Sequence, residues 1–166
     1  RELGVGGMAF VFLARDLKHS RHVAIKVLRP ELSSSLAADR FLSEIAIAAP
    51  LTHPNILALH DSGEAAGFVY YVMPYVEGGS LRHRLDGEGT LAYGDILRIA
   101  RQVGSALDYA HAHEVGHRDI KPENILLAAG QPVAADFGPA VAPPRAAAPR
   151  VPTRAMTWRT PAALTP

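Results

Sequence analysis

His117-Arg118-Asp119-Ile120-Lys121-Pro122-Glu123-Asn124 is followed, twelve residues after its asparagine, by Asp136-Phe137-Gly138. Charged residues in a loop are ordinarily solvated decoration. Eight specified positions with a second specified triplet at a set distance are a different matter, because chance does not assemble them. In phosphoryl transfer Asp119 would accept a proton from a hydroxyl, while Asn124 and Asp136 would supply oxygens that hold Mg²⁺ beside phosphates.

Toward the N-terminus the chain carries what such chemistry needs. Gly4-Val5-Gly6-Gly7-Met8-Ala9-Phe10-Val11 is glycine-rich, and glycines let backbone N–H groups approach phosphate oxygens closely. Taken alone, such a cluster is more often only a hairpin turn. Fifteen residues after Val11, the strand-like run Val23-Ala24-Ile25-Lys26 ends on a lysine. Glu44 follows on the next expected helix, where a lysine–glutamate ion pair would aim the ammonium at a nucleotide.

These motifs resemble those of the bacterial Ser/Thr protein kinases of the eukaryotic-like type. The resemblance runs over residues 3–138 and includes His53-Pro54-Asn55-Ile56 and Tyr71-Val72-Met73-Pro74-Tyr75-Val76. It implies phosphorylation of Ser or Thr on a protein substrate, with ATP and Mg²⁺ as cofactors. Asp119, Lys121 and Asn124 would be the catalytic set, with Lys121 marking the Ser/Thr class. Asn124 and Asp136 would hold the metal. Gly4, Gly6, Gly7, Lys26 and Glu44 would serve the phosphates. Met73 would be the gatekeeper, Pro74 to Val76 (with Tyr75) the hinge that bonds adenine, and Val11, Ala24 and Leu126 the walls around its ring. Ala48, Leu59, His117 and Phe137 would stack as a spine between the lobes.

The sequence departs from the family at several points. Ala9 stands where the third loop glycine belongs, Gly7 is an extra one, Gly116 replaces an apolar β-branched residue and Pro139 follows Gly138. Residues 139–166 hold seven prolines, four arginines and no acid, a composition unsuited to a helix interior or central strand. Thr160 to Pro166 resembles the end of the family's activation segment, in which Thr160 would contact Asp119 and Lys121. A remnant of that segment and an unrelated tail both stay open. In the first reading Arg118 would grip a phosphate on Thr153 or Thr157.

The expected fold class is α+β, a protein-kinase-like two-lobe fold. Residues 1–73 would form an antiparallel-sheet small lobe with one helix, 74–79 the hinge, 80–138 part of a mostly helical large lobe, and 139–166 a Pro/Ala-rich tail. The chain reads as a fragment that stops inside the activation segment. Strands are expected at Phe10–Ala14, His22–Leu28, Ile56–His60 and Phe68–Met73, with turns at Gly4–Gly7 and Asp61–Gly63. A helix capped by Ser33, Ser34 or Ser35 should run to about Ala49 and stop at Pro50. A second, over Asp95–His113, should set Ile96, Ile99, Ala100, Val103, Leu107 and Ala110 on one face, which would lose part of its burial where large-lobe helices are missing.

Composition sets the outer limits. A chain of 166 residues, 48% hydrophobic and 20% charged, is an ordinary globular domain and not a disordered one. A net charge of +1 makes no case for nucleic acid or membrane contact by this segment. The absence of cysteine excludes disulfides and thiolate metal sites and fits a cytoplasmic catalytic domain, which a further segment would be free to anchor to a membrane. No run approaches the ~20 apolar residues of a spanning helix. His111, His113 and His117 raise the idea of a metal site, but helix positions two apart point in different directions. Two rivals remain: a truncated, catalytically poor nucleotide-binding or interaction module, and a small-molecule kinase of the aminoglycoside-phosphotransferase type. The wording of the catalytic loop disfavours the second. Substrate identity and oligomeric state are not encoded legibly.

Overall fold

The computed structural model describes residues 1–32 and 36–137. The expected caps Ser33 to Ser35, Gly138, and the tail with Thr153, Thr157 and Thr160 lie outside the described residues.

An antiparallel sheet forms the first layer, in the order β1-β2-β3-β5-β4. Its strands are β1 (Glu2–Val5), β2 (Ala9–Asp16), β3 (Arg21–Leu28), β4 (Asp61–Ala65) and β5 (Phe68–Pro74). Helix α1 (Leu36–Ala48) packs on it through Phe41 and Ile45, which bury against Ala9, Leu28 and Tyr71. Ala38, Phe41, Glu44 and Ile45 recur at helical spacing, so the buried stripe carries one carboxylate among apolar side chains. That carboxylate is central to the site.

Helices α2 (Leu81–Glu88) and α3 (Tyr93–Ala112) follow, then a 3-10 turn (Pro122–Asn124) and the hairpin of β6 (Ile125–Ala128) and β7 (Gln131–Ala134). Neither α2 nor the hairpin was expected. Only Leu81 of α2 is buried, so the helix shows no apolar stripe; its start is marked instead by Ser80, whose Oγ accepts from the His83 N–H at 3.2 Å. None of the described helices is long and apolar enough to cross a membrane.

Several local expectations need correction. Ile56–His60 is not a strand: Ile56 makes a single bridge to Ala134, and its side chain is spent on a core with Ala106 and Ala110. The apolar run reflects burial, not a ladder. Asp61–Gly63 is not a turn but the start of β4, paired with Val72, Tyr71 and Tyr70. An edge strand tolerates such polar residues because one side faces water. The chain reverses instead at Ala66-Gly67, where φ is +51° and +78°, the left-handed pair of a tight hairpin. Gly4 and Val5 likewise belong to β1, opposite Val11 and Phe10, and the turn is confined to Gly6–Met8, closed by Gly6 N–H to Ala9 O at 2.9 Å. On α3 the buried residues are Ile99, Val103, Ala106 and Ala110, whereas Ile96 and Ala100 are exposed. They line an apolar groove shared with Leu91, Leu107 and Ile120.

One short segment stitches the layers together. Asn55 Nδ2 donates to Pro132 O at 2.8 Å, Ala134 N–H to Asn55 O at 2.8 Å, and Leu57 N–H to Ala134 O at 2.8 Å. The peptide after α1 is thus bonded directly to β7, the strand that leads to Asp136.

Candidate active site

Lys26 lies opposite Tyr71 in the β3–β5 ladder. Its Nζ is 2.7 Å from Glu44 Oε1 and 2.9 Å from Asp136 Oδ1, so one ammonium bridges α1 and the segment after β7. Burial alone would push the ammonium down, but Asp136 and then Glu44 more than offset it and hold it above the usual lysine value. The expected Lys26–Glu44 pair is present; the direct bond to Asp136 was not foreseen. Asp136 sits at φ +59°, a conformation rare for residues with a side chain. Next to it, Phe137 is buried and its ring lies 4.5 Å from that of His117.

The loop over residues 117–124 is held by its own side chains. Lys121 Nζ is 2.6 Å from Asp119 Oδ2, and Asn124 Nδ2 donates to Asp119 O and Oδ2. The Lys121 ammonium keeps the exposed Asp119 carboxyl below its ordinary value, and Asp119 in turn raises Lys121. Buried His117 donates from Nε2 to Ala135 O at 2.8 Å and accepts at Nδ1 from the Asp119 N–H at 3.4 Å. Its imidazole is therefore neutral, and burial pushes it below the usual histidine value.

The remaining expected site residues are spread over the surrounding strands. Val11 is opposite Lys26 and Ala24 opposite Met73. Tyr75 turns its ring edge-on to His22 at 6.3 Å. Leu126 on β6 is tied toward the expected hinge, because Ser80 bridges to it and Leu127 N–H donates to Gly79 O at 2.9 Å. Of the expected spine, His117 and Phe137 stack, while Ala48, Leu59 and Phe137 border a narrow cavity of about 20 Å³. Glycines 4, 6 and 7 form the β1–β2 end of the sheet.

Sequence reasoning missed Tyr71, whose hydroxyl donates to Glu44 Oε1 at 2.6 Å. The strand alternation that puts it on the face of Lys26 was the available signal. It also missed Arg82, which reaches Glu123 of the catalytic loop at 3.0 Å from α2.

The donor set fits Mg²⁺. Asp136 brings a carboxylate, and because Asn124 engages Asp119 through its amide nitrogen, its carbonyl oxygen is the atom left for a cation. Both are hard oxygens of the kind Mg²⁺ takes.

Comparison with known proteins agrees with this geometry. A family model described as protein kinase domain matches residues 1–165. Serine/threonine-protein kinase PrkC of Bacillus subtilis is 42% identical over 144 residues, 86% of this chain and 22% of its own length. PknB of Mycolicibacterium smegmatis is 42% identical over 142 residues, 82% and 23% respectively. A crystal structure of the Mycobacterium tuberculosis PknI kinase domain, in a cysteine-to-alanine variant, superposes with a TM-score of 0.70 at 36% identity, over 82% of this chain and 57% of that one. The chain thus spans under a quarter of these curated relatives.

Proposed function

This chain belongs to the protein kinase domain family, and on that premise we propose that it carries the site for transfer of the γ-phosphoryl group of Mg-ATP to a Ser or Thr hydroxyl of a protein. The observation behind this reading is the Lys26 ammonium held between Glu44 and Asp136, with Asp119 and Asn124 joined in the loop beside them. Asp119, ionised and accepting from Lys121, takes the proton of the attacking hydroxyl, and Lys121 offsets charge next to it. Lys26 engages the phosphates while Glu44 keeps it in place. Asn124 and Asp136 would hold Mg²⁺, which when bound would neutralise charge developing on the phosphate oxygens. The glycine-rich end of the β1–β2 hairpin, with Gly4, Gly6 and Gly7, covers the phosphates, and Val11, Ala24, Met73, Tyr75, Val76 and Leu126 enclose adenine. Residues 74–79 act as the hinge between a small lobe and the helical part. An ATP-dependent catalytic domain of this kind belongs in the cytoplasm, where a further segment is free to anchor it to a membrane.

A second reading, a nucleotide-binding or interaction module without turnover, is favoured by one observation: the open groove of α3, where Ile96 is 49% exposed. Phosphate transfer to a generic basic protein separates the two. The first reading expects transfer that Asp119→Asn abolishes and Mg-ATP binding that Lys26→Met weakens. Binding with no Asp119-dependent transfer supports the second, and normal Mg-ATP binding by Lys26→Met sinks the nucleotide site of either reading.

A further inference from the structure

We propose that Tyr71 is a positioning residue: its hydroxyl holds Glu44, and through Glu44 the helix α1, in the place that keeps Lys26 ready for nucleotide. This rests on the phosphate-binding reading of Lys26.

Two carboxylates, Glu44 and Asp136, share a single ammonium. Glu44 is only 5% exposed, and a buried carboxylate short of partners is costly. Tyr71 supplies the missing donor without adding a charge. Its O–H reaches Glu44 Oε1 at 2.6 Å, the oxygen that Lys26 Nζ contacts at 2.7 Å, and lies 3.5 Å from Asp136 Oδ1. The short O–H to carboxylate distance is that of a charge-assisted hydrogen bond.

The ring is as constrained as the hydroxyl. Tyr71 is 6% exposed, its ring lies 5.4 Å from that of Phe41 on α1, and Lys26 Nζ stands 5.5 Å from its centroid. β5 and α1 are therefore joined at Phe41 by packing and at Glu44 by a hydrogen bond. When Lys26 turns to a phosphate, Glu44 loses part of its partner, and Tyr71 remains to hold it. A phenylalanine at position 71 would keep the packing on Phe41 but leave the Glu44 carboxylate tied to the sheet by the lysine alone. Burial and the two carboxylates keep the phenol protonated, so the donor persists at any working pH.

Tyr71→Phe keeps the ring and removes only the donor. In the whole chain, Mg-ATP affinity should fall about tenfold, the lower end for a hydrogen bond to a charged group. Amide exchange over α1 should rise relative to β2 and β3. In a Glu44→Ala background the same substitution should have no further effect on affinity. A purely structural tyrosine would lower the melting temperature while leaving affinity intact, or would act equally in both backgrounds; either result overturns the proposal. If Lys26→Met weakens binding and Tyr71→Phe does not, only this proposal fails. If neither weakens it, the phosphate-binding reading itself is wrong.

Discussion

Asn124 Nδ2 donates to Asp119 at two points, the backbone oxygen at 2.9 Å and Oδ2 at 3.1 Å. One amide therefore fixes both the turn that carries the proposed base and the direction of its carboxylate. Since phosphoryl transfer is mostly positioning and electrostatics, this is where small changes should be felt most.

Asn124→Ala should lower the transfer rate by about 10²-fold, the cost of a base displaced by roughly 1 Å. The loss should be larger at low Mg²⁺, because the proposed metal ligand goes with the amide. A steady-state Mg²⁺ titration of variant and parent gives the answer; superimposable curves would refute the assignment of Asn124.

Gly78 has no room for a side chain: a Cβ there would stand 2.1 Å from Leu127 O. Gly78→Ala must push β6 away from residues 76–80, and overpacking of this sort costs about 1–3 kcal/mol. Because Leu126 rides on β6, adenine affinity should weaken along with the melting temperature. An unchanged melting curve would mean that the two segments do not approach so closely in solution.

His117 is held neutral by burial, with its pKa below the ordinary 6.5. The unfolded chain gains a proton as pH falls through 6.5 while the folded one resists, so stability should drop on acidification. Urea midpoints at about pH 7.5 and about pH 5.5, on either side of the ordinary histidine value, should differ less for His117→Phe than for the parent. His60, also pushed down by burial, contributes with the same sign, which is why the difference between the two proteins is the informative quantity. Equal slopes would contradict the neutral, buried imidazole.

At the alkaline end the phenol of Tyr71 is pushed far above the ordinary value of 10.0 by burial, then by Asp136 and Glu44. The unfolded chain releases this proton near pH 10 and the folded chain keeps it, so stability should decline as pH rises beyond that value. In ultraviolet difference spectra at ~pH 11, above the ordinary tyrosine pKa, the folded parent and Tyr71→Phe should show the same tyrosinate absorbance. An extra tyrosinate in the folded parent would rule out a buried, carboxylate-facing hydroxyl.

The catalytic loop, the lysine strand and the stop of α1 before Pro50 could be read from residues because each is specified locally, by motif spacing, alternation or a helix breaker. What could not be read depends on partners distant in the chain. Asp61-Ser62-Gly63 carries turn chemistry, and only pairing with Tyr70–Val72 makes it a strand. Ile56 looks like a strand residue, yet its surroundings are Ala106, Ala110 and Ala134. Ile96 obeys the helical period of α3 and is still exposed, because periodicity identifies a stripe without saying how much of it is covered. Tyr71 passed as one more β-former; its hydroxyl gains a role only when α1 brings Glu44 to it.

The bonds from Asn55 and Leu57 to β7 give the site a fulcrum. Glu44 lies on one side of it along the chain, and Asp136 lies just beyond β7 on the other. The attachment at Asn55 thus helps set the spacing between the two carboxylates that share Lys26. Substitutions at Asn55 should therefore detune the alignment of the site even where the fold itself survives.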